Sequence, residues 1–171
     1  MEIIVLVKRT IFFRLFSVLC MGTYVSLIVL SLIFPEIYFF QFWFSGLLVM
    51  VGTVSSVRYF CYKIDSSLFL GTVCLLSGIS GILNFFFLFN TSFVASLYFF
   101  SFAFASLAIF IKFRHFFHLK TFVFESICGI LLLLLSYQLL SLIPFVILFS
   151  VAGLAIVVLI ISSIKRNTRK V

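Results

Sequence analysis

Six runs of apolar residues follow one another along the chain, at about 11–34, 37–57, 67–90, 92–112, 121–141 and 143–164. Each is long enough to cross a bilayer as a helix, which takes roughly 20 mostly apolar residues. In hydrocarbon a backbone must satisfy its own hydrogen bonds, so such a run has little choice but the helix. The connections are too short to hold a soluble domain. The sequence therefore predicts an all-α polytopic membrane protein, one membrane domain over 1–171, with six transmembrane helices. Composition removes the soluble alternative. Hydrophobic residues make up 65% of the chain and charged residues 9%, too little polar surface to cover so large a core.

The six helices read as three repeated hairpins, about 12–58, 67–112 and 121–165. Turn breakers recur at Pro35, Asn90 and Pro144, 55 and 54 residues apart. Small residues recur with them: Gly46, Ser101 and Ala155, then Thr53, Ala108 and Ser162. The two sets stand seven residues apart and share a helical face. Arg58, Lys112 and Lys165 close the three units. Self-similarity at a fixed period is the mark of a repeat architecture. On helix 3, Gly71, Cys74, Gly78 and Gly81 form a stripe. Small residues let membrane helices approach closely, where packing rather than the hydrophobic effect joins them. Gly46, Gly71, Gly78, Gly81, Ser101 and Ala155 are thus the expected helix-packing positions, with helices 3 and 4 as close neighbours.

Charge sets the orientation. All twelve Lys and Arg residues fall at the N-terminus, the second and fourth connections, or the C-terminus. The intervening turns carry none. Cations mark the cytoplasmic side, so both termini are expected there, in a multi-pass protein of the cell inner (plasma) membrane. The net charge of +8 then needs no nucleic acid. Its partners are the lipid bilayer and the anionic headgroups of the cytoplasmic face, with a homo-oligomer or a membrane-protein partner left open. Lys8 and Arg9 before an apolar run resemble a signal peptide, but the run is too long, Arg14 interrupts it and no small-residue cleavage site follows. It reads as a retained first helix.

Candidate chemistry is sparse. The cysteines at 20, 61, 74 and 128 have no close spacing, against a disulfide framework or metal set. His115 and His118 stand at i, i+3 without a third ligand type nearby. Gln41, Asn84 and Gln138 sit toward the outer ends, either as a small polar cluster or as separate links between helices. No nucleotide loop, paired carboxylates or nucleophile elbow is present. The chain is therefore expected to be no enzyme, with no catalytic, cofactor-binding or metal-binding residues. No charge falls near the middle of a predicted span. Arg14 and Glu125 each fall about one turn inside the inner ends of helices 1 and 5. Either Glu125 pairs with a cation, Arg14 first and Lys112, Arg114 or Lys120 as competitors, tying the first and third hairpins, or both side chains turn separately to headgroups.

The stretches Met21 to Glu36 (MGTYVSLIVLSLIFPE), Ser45 to Arg58 (SGLLVMVGTVSSVR) and Ser150 to Lys165 (SVAGLAIVVLIISSIK) resemble the HdeD family of small six-helix bacterial inner-membrane proteins. The resemblance spans roughly 12 to 165 and rests on glycines and prolines in an apolar background. Asn90 departs from the usual proline turn. The resemblance implies a non-catalytic, stress- or acid-resistance-associated membrane protein with no catalytic residues to carry over. Two other readings remain: a small repeat-built transporter or channel, and a hydrophobic accessory subunit of a larger membrane complex.

Overall fold

Long apolar stretches free of internal proline become helices throughout. The structure, a computed structural model, describes residues 2–34, 36, 43–139, 141, 144–151 and 153–154. Five helices are long and apolar enough to cross a membrane: α1 (Glu2–Ile33), α2 (Trp43–Tyr62), α3 (Asp65–Phe87), α4 (Thr91–Phe113) and α5 (Phe116–Ser136). Residues 144–151 and 153–154 are also helical, and no strand occurs among the described residues. Most of the expected sixth span, and with it Ala155 and Ser162, lies outside the described residues, as do Pro35 and Gln41.

The connections are shorter than the sequence implied. Two residues, Lys63 and Ile64, join α2 to α3, and two more, Arg114 and His115, join α4 to α5. Both turns take the same course. Lys63 and Arg114 are left-handed at φ 57° and 59°, and Ile64 and His115 are extended. The N–H of Lys63 reaches the carbonyl of Tyr59 at 2.7 Å, and that of Arg114 the carbonyl of Phe110 at 2.8 Å. This is a standard helix stop, normally supplied by glycine. On the opposite side, Leu88 and Gln138 are left-handed too, at φ 49° and 57°. Asn90 then starts α4, its side chain accepting from the Ser92 N–H at 3.2 Å, which is the capping role that favours asparagine there. The left-handed positions recur 51 residues apart (63 and 114) and 50 apart (88 and 138). That period is about one helical turn shorter than the spacing of the proline and asparagine breakers. Positions paired by the longer spacing therefore keep their face but differ in depth.

Short connections make each helix antiparallel to the next. Among α1–α5, each helix packs its backbone only against its neighbours in sequence. The closest approach is between α2 and α3. A Cβ on Gly52 would sit 2.5 Å from the backbone nitrogen of Leu75, and one on Gly78 2.8 Å from the Ser45 carbonyl oxygen. Gly71 meets Ser56, and Gly81 meets the Ser45 hydroxyl. The glycine stripe of α3 thus faces α2 across the Lys63–Ile64 turn, and a Cβ on Gly81 would also lie 3.5 Å from the Tyr98 hydroxyl of α4. Helix α4 lies between α3 and α5 and buries its residues most deeply: Ser96, Ser101, Ala103, Ala105, Ser106 and Ile109 are each at most 2% exposed. Helix α1 is the outlier, meeting only α2 among the other four helices.

Candidate functional site

Helix α5 begins at Phe116, five residues before the start expected from hydropathy. It has 21 residues, about 31 Å of helix, matching a hydrocarbon core of about 30 Å. Glu125 then stands nine residues from one end and eleven from the other. Glu125, expected about one turn inside the end of its helix, thus stands near the middle of that helix. An insertion penalty of about 2.5–3.5 kcal/mol applies to a charge at that depth, and proteins tolerate it chiefly where it serves a function.

Glu125 is half-buried against α4, and its Oε2 accepts the Ser106 hydroxyl at 2.9 Å. The two-residue turn sets this pairing, because positions about equally far from residues 114 and 115 face each other. Ser106 is itself 1% exposed. Three residues beyond Glu125, Cys128 is fully buried, and Gly129 makes room for the Phe100 ring, which would lie 3.1 Å from an added Cβ. Helix α4 carries no charged residue before Lys112, six residues or about 9 Å further toward the inner turn.

Several other hydroxyls are used within their own helices. Ser17, Thr53, Ser80 and Ser101 donate to the carbonyls of Phe13, Val49, Leu76 and Leu97 at 2.8–2.9 Å. Ser106 instead reaches a side chain on the next helix. Two tyrosines also cross between helices. Tyr24 donates to the Trp43 carbonyl at 2.8 Å, and Tyr62 to the Thr10 hydroxyl at 3.3 Å.

Arg14 and Glu125 are not brought together. Arg14 is exposed on α1, which does not touch α5. They also differ in depth. Arg14 is 19 residues from Ile33, the C-terminal end of α1, or about 28 Å, whereas Glu125 is about 16 Å from the C-terminal end of α5. Hydropathy put the start of helix 5 too late, and this made the two depths look equal. Gly46, Gly71, Gly78 and Ser101 are buried, and Gly81 is partly buried; Ala155 is outside the described residues. Ser106 escaped notice because its significance depends on the exact length of the turn.

The basic end gathers rings from both inner turns. Lys63 Nζ lies 5.3 Å from the Tyr59 ring centre. Tyr59 meets Phe113, Phe113 stacks on His115, and His118 touches both His115 and Phe69, at centroid separations of 6.2–6.4 Å. No group of three metal-ligating side chains occurs among the described residues. At the end away from the Lys63–Ile64 and Arg114–His115 turns, Asn84 lines a cavity of about 340 Å³ with Trp43, Phe44, Ser45 and Tyr98. Gln138 is exposed in its own turn, so these two polar residues form no cluster. A second cavity, of about 390 Å³, lies between α1 and α2. It is walled by apolar side chains, with Thr23, Tyr24 and Thr53 as its hydroxyl-bearing residues.

No family model, curated protein or solved structure matches this chain.

Proposed function

We propose that this chain is a non-catalytic integral membrane protein of the cell inner membrane, with six spans in three hairpins and both termini cytoplasmic. In this reading it serves acid or envelope stress tolerance, as its resemblance to the HdeD family implies. The observation that carries the non-catalytic part is the use of polar groups. Hydroxyls along the spans donate to carbonyls one turn back, and α2 meets α3 on glycine. An interior of this kind holds helices together rather than handling a polar substrate. The charge distribution supports the orientation.

Growth with and without the gene, across external pH and membrane-perturbing agents, tests the role. The expected result is a defect confined to acid or envelope stress. Equal growth throughout discards the stress reading. Reporter fusions after residues 35, 90 and 144 test the topology, and a cytoplasmic signal at any of them breaks it.

A second reading, a small transporter or channel, is favoured by the carboxyl group of Glu125 in the middle of a span. Such groups mark ion and proton pathways in membrane proteins.

A further inference from the structure

A carboxylate in hydrocarbon needs a positive counter-charge within contact distance, because the surrounding medium supplies almost no screening. The protein is the first place to look for it. Helix α4, the helix packed against Glu125, offers Ser106 and no cation until Lys112. On α5 itself the nearest cation is Lys120, five residues earlier. Five residues turn the helix by about 140°, so Lys120 projects from a different face. His118 is seven residues away and engages the rings of Phe69 and His115. Cys128 is the other titratable group close by. Arg14 is on a helix that does not touch α5. The described residues thus place one acidic group in the span, one hydroxyl oxygen against it, and no basic side chain in contact.

We infer that Glu125 and Ser106 form a binding site for a single monovalent cation within the α4–α5 interface. The carboxylate supplies the charge. The hydroxyl, whose hydrogen points at Oε2, keeps its oxygen lone pairs for an ion beside it. A divalent metal does not suit the site, because it would call for more oxygen ligands and more negative charge than one carboxylate provides. A proton, bonded to one carboxyl oxygen, and Na⁺, held by carboxylate and hydroxyl oxygens, would each supply the single positive charge required. The inference goes beyond the proposed stress role and does not depend on it.

The test uses full-length protein in liposomes and infrared spectroscopy of the carboxyl group, with Glu125→Gln identifying the Glu125 band by its absence. Samples are titrated in pH at constant choline chloride, then in NaCl against choline chloride at fixed pH. Conversion of the band from acid carbonyl to carboxylate with pH, unaffected by Na⁺, supports the site with a proton as its ion. A carboxylate band that shifts with Na⁺ and not with choline supports it with Na⁺. In that case Ser106→Ala, which removes one ligand oxygen, weakens the Na⁺ response about tenfold. A band unchanged in both titrations, as carboxylate or as acid carbonyl, overturns the inference, because the group then exchanges no cation. Should Glu125→Gln fail to assemble, Glu125→Asp shifts the band and makes the same assignment. Loss of the stress phenotype with an intact band response separates failure of the functional reading from failure of this one.

Discussion

The α2–α3 and α4–α5 hairpins have the same inner turn and are held together in different ways. Lys63–Ile64 and Arg114–His115 adopt matching conformations, so each pair of helices leaves its turn in the same manner. Between α2 and α3 the backbones then meet at Gly52 and Gly78 with no space for a methyl group. Between α4 and α5 a phenylalanine ring fills the contact at Gly129, and one hydrogen bond, Ser106 to Glu125, crosses the interface. A turn therefore fixes direction and register, while the small or polar residues further along decide how the faces adhere. Close backbone contact suits a permanent joint. A single polar link in lipid admits a response to ions.

The largest difference should appear in paired glycine substitutions. Gly52→Ala places a carbon 2.5 Å from the Leu75 backbone nitrogen, where only movement of a helix relieves the clash. Overpacking of this kind costs typically 1–3 kcal/mol, and about 3 kcal/mol is expected here because the obstacle is backbone. Gly129→Ala meets the Phe100 ring at 3.1 Å, which a small side-chain adjustment relieves, so about 1 kcal/mol or less is expected. Reversible unfolding in mixed micelles measures both. Equal losses would erase the distinction between the two joints.

Next in size is a pair of serines on one helix. Ser106→Ala removes the partner of Glu125 and should destabilise by about 1–2 kcal/mol. Ser101→Ala removes a hydroxyl that serves its own backbone and should change stability by less than about 0.5 kcal/mol. The same micelle assay decides. A Ser101 effect as large as that of Ser106 would mean that the cross-helix bond has no special weight.

The smallest effect belongs to the outer turn that links the two hairpins. Leu88 is left-handed and 85% exposed, so its side chain contributes little packing to set against backbone strain. Leu88→Gly should stabilise by about 0.5–1 kcal/mol, the steric penalty of a left-handed residue with a side chain being of order 1 kcal/mol. A neutral or harmful result would show that the exposed side chain does more than the strain it carries.

Much of the fold is legible in the sequence because its strongest signals are those that lipid demands. Run length identifies the five described spans, and Asn90 marks the turn it caps. The glycine stripe of α3 is visible as an interface, but its partner is not, since both neighbours are antiparallel to α3. Turn length is where legibility fails. Lys63 and Arg114 hold a conformation that usually calls for glycine, so no punctuation announces them. The segment Lys112 to Lys120 is rich in Phe and His, which extend a helix into the interface as readily as they form a loop. The missing signal shifted helix 5 by five residues, and with it Glu125 from the edge of the span to its middle. A small error in one turn thus hid the most chemically informative side chain among the described residues.

The hydroxyls bonded to carbonyls in their own helices also bear on biosynthesis. A membrane chain emerges one segment at a time, and each span waits in lipid until its neighbour arrives. Helix α1 is partly equipped for that delay: Ser17 and Thr23 are already bonded to Phe13 and Leu19, while Tyr24 waits for the Trp43 carbonyl of α2. Glu125 has no such internal partner. It enters after α4, two residues behind it through the Arg114–His115 turn, and finds Ser106 already in the membrane. Chain order thus delivers the costliest residue last among these partners, to a neighbour prepared to receive it.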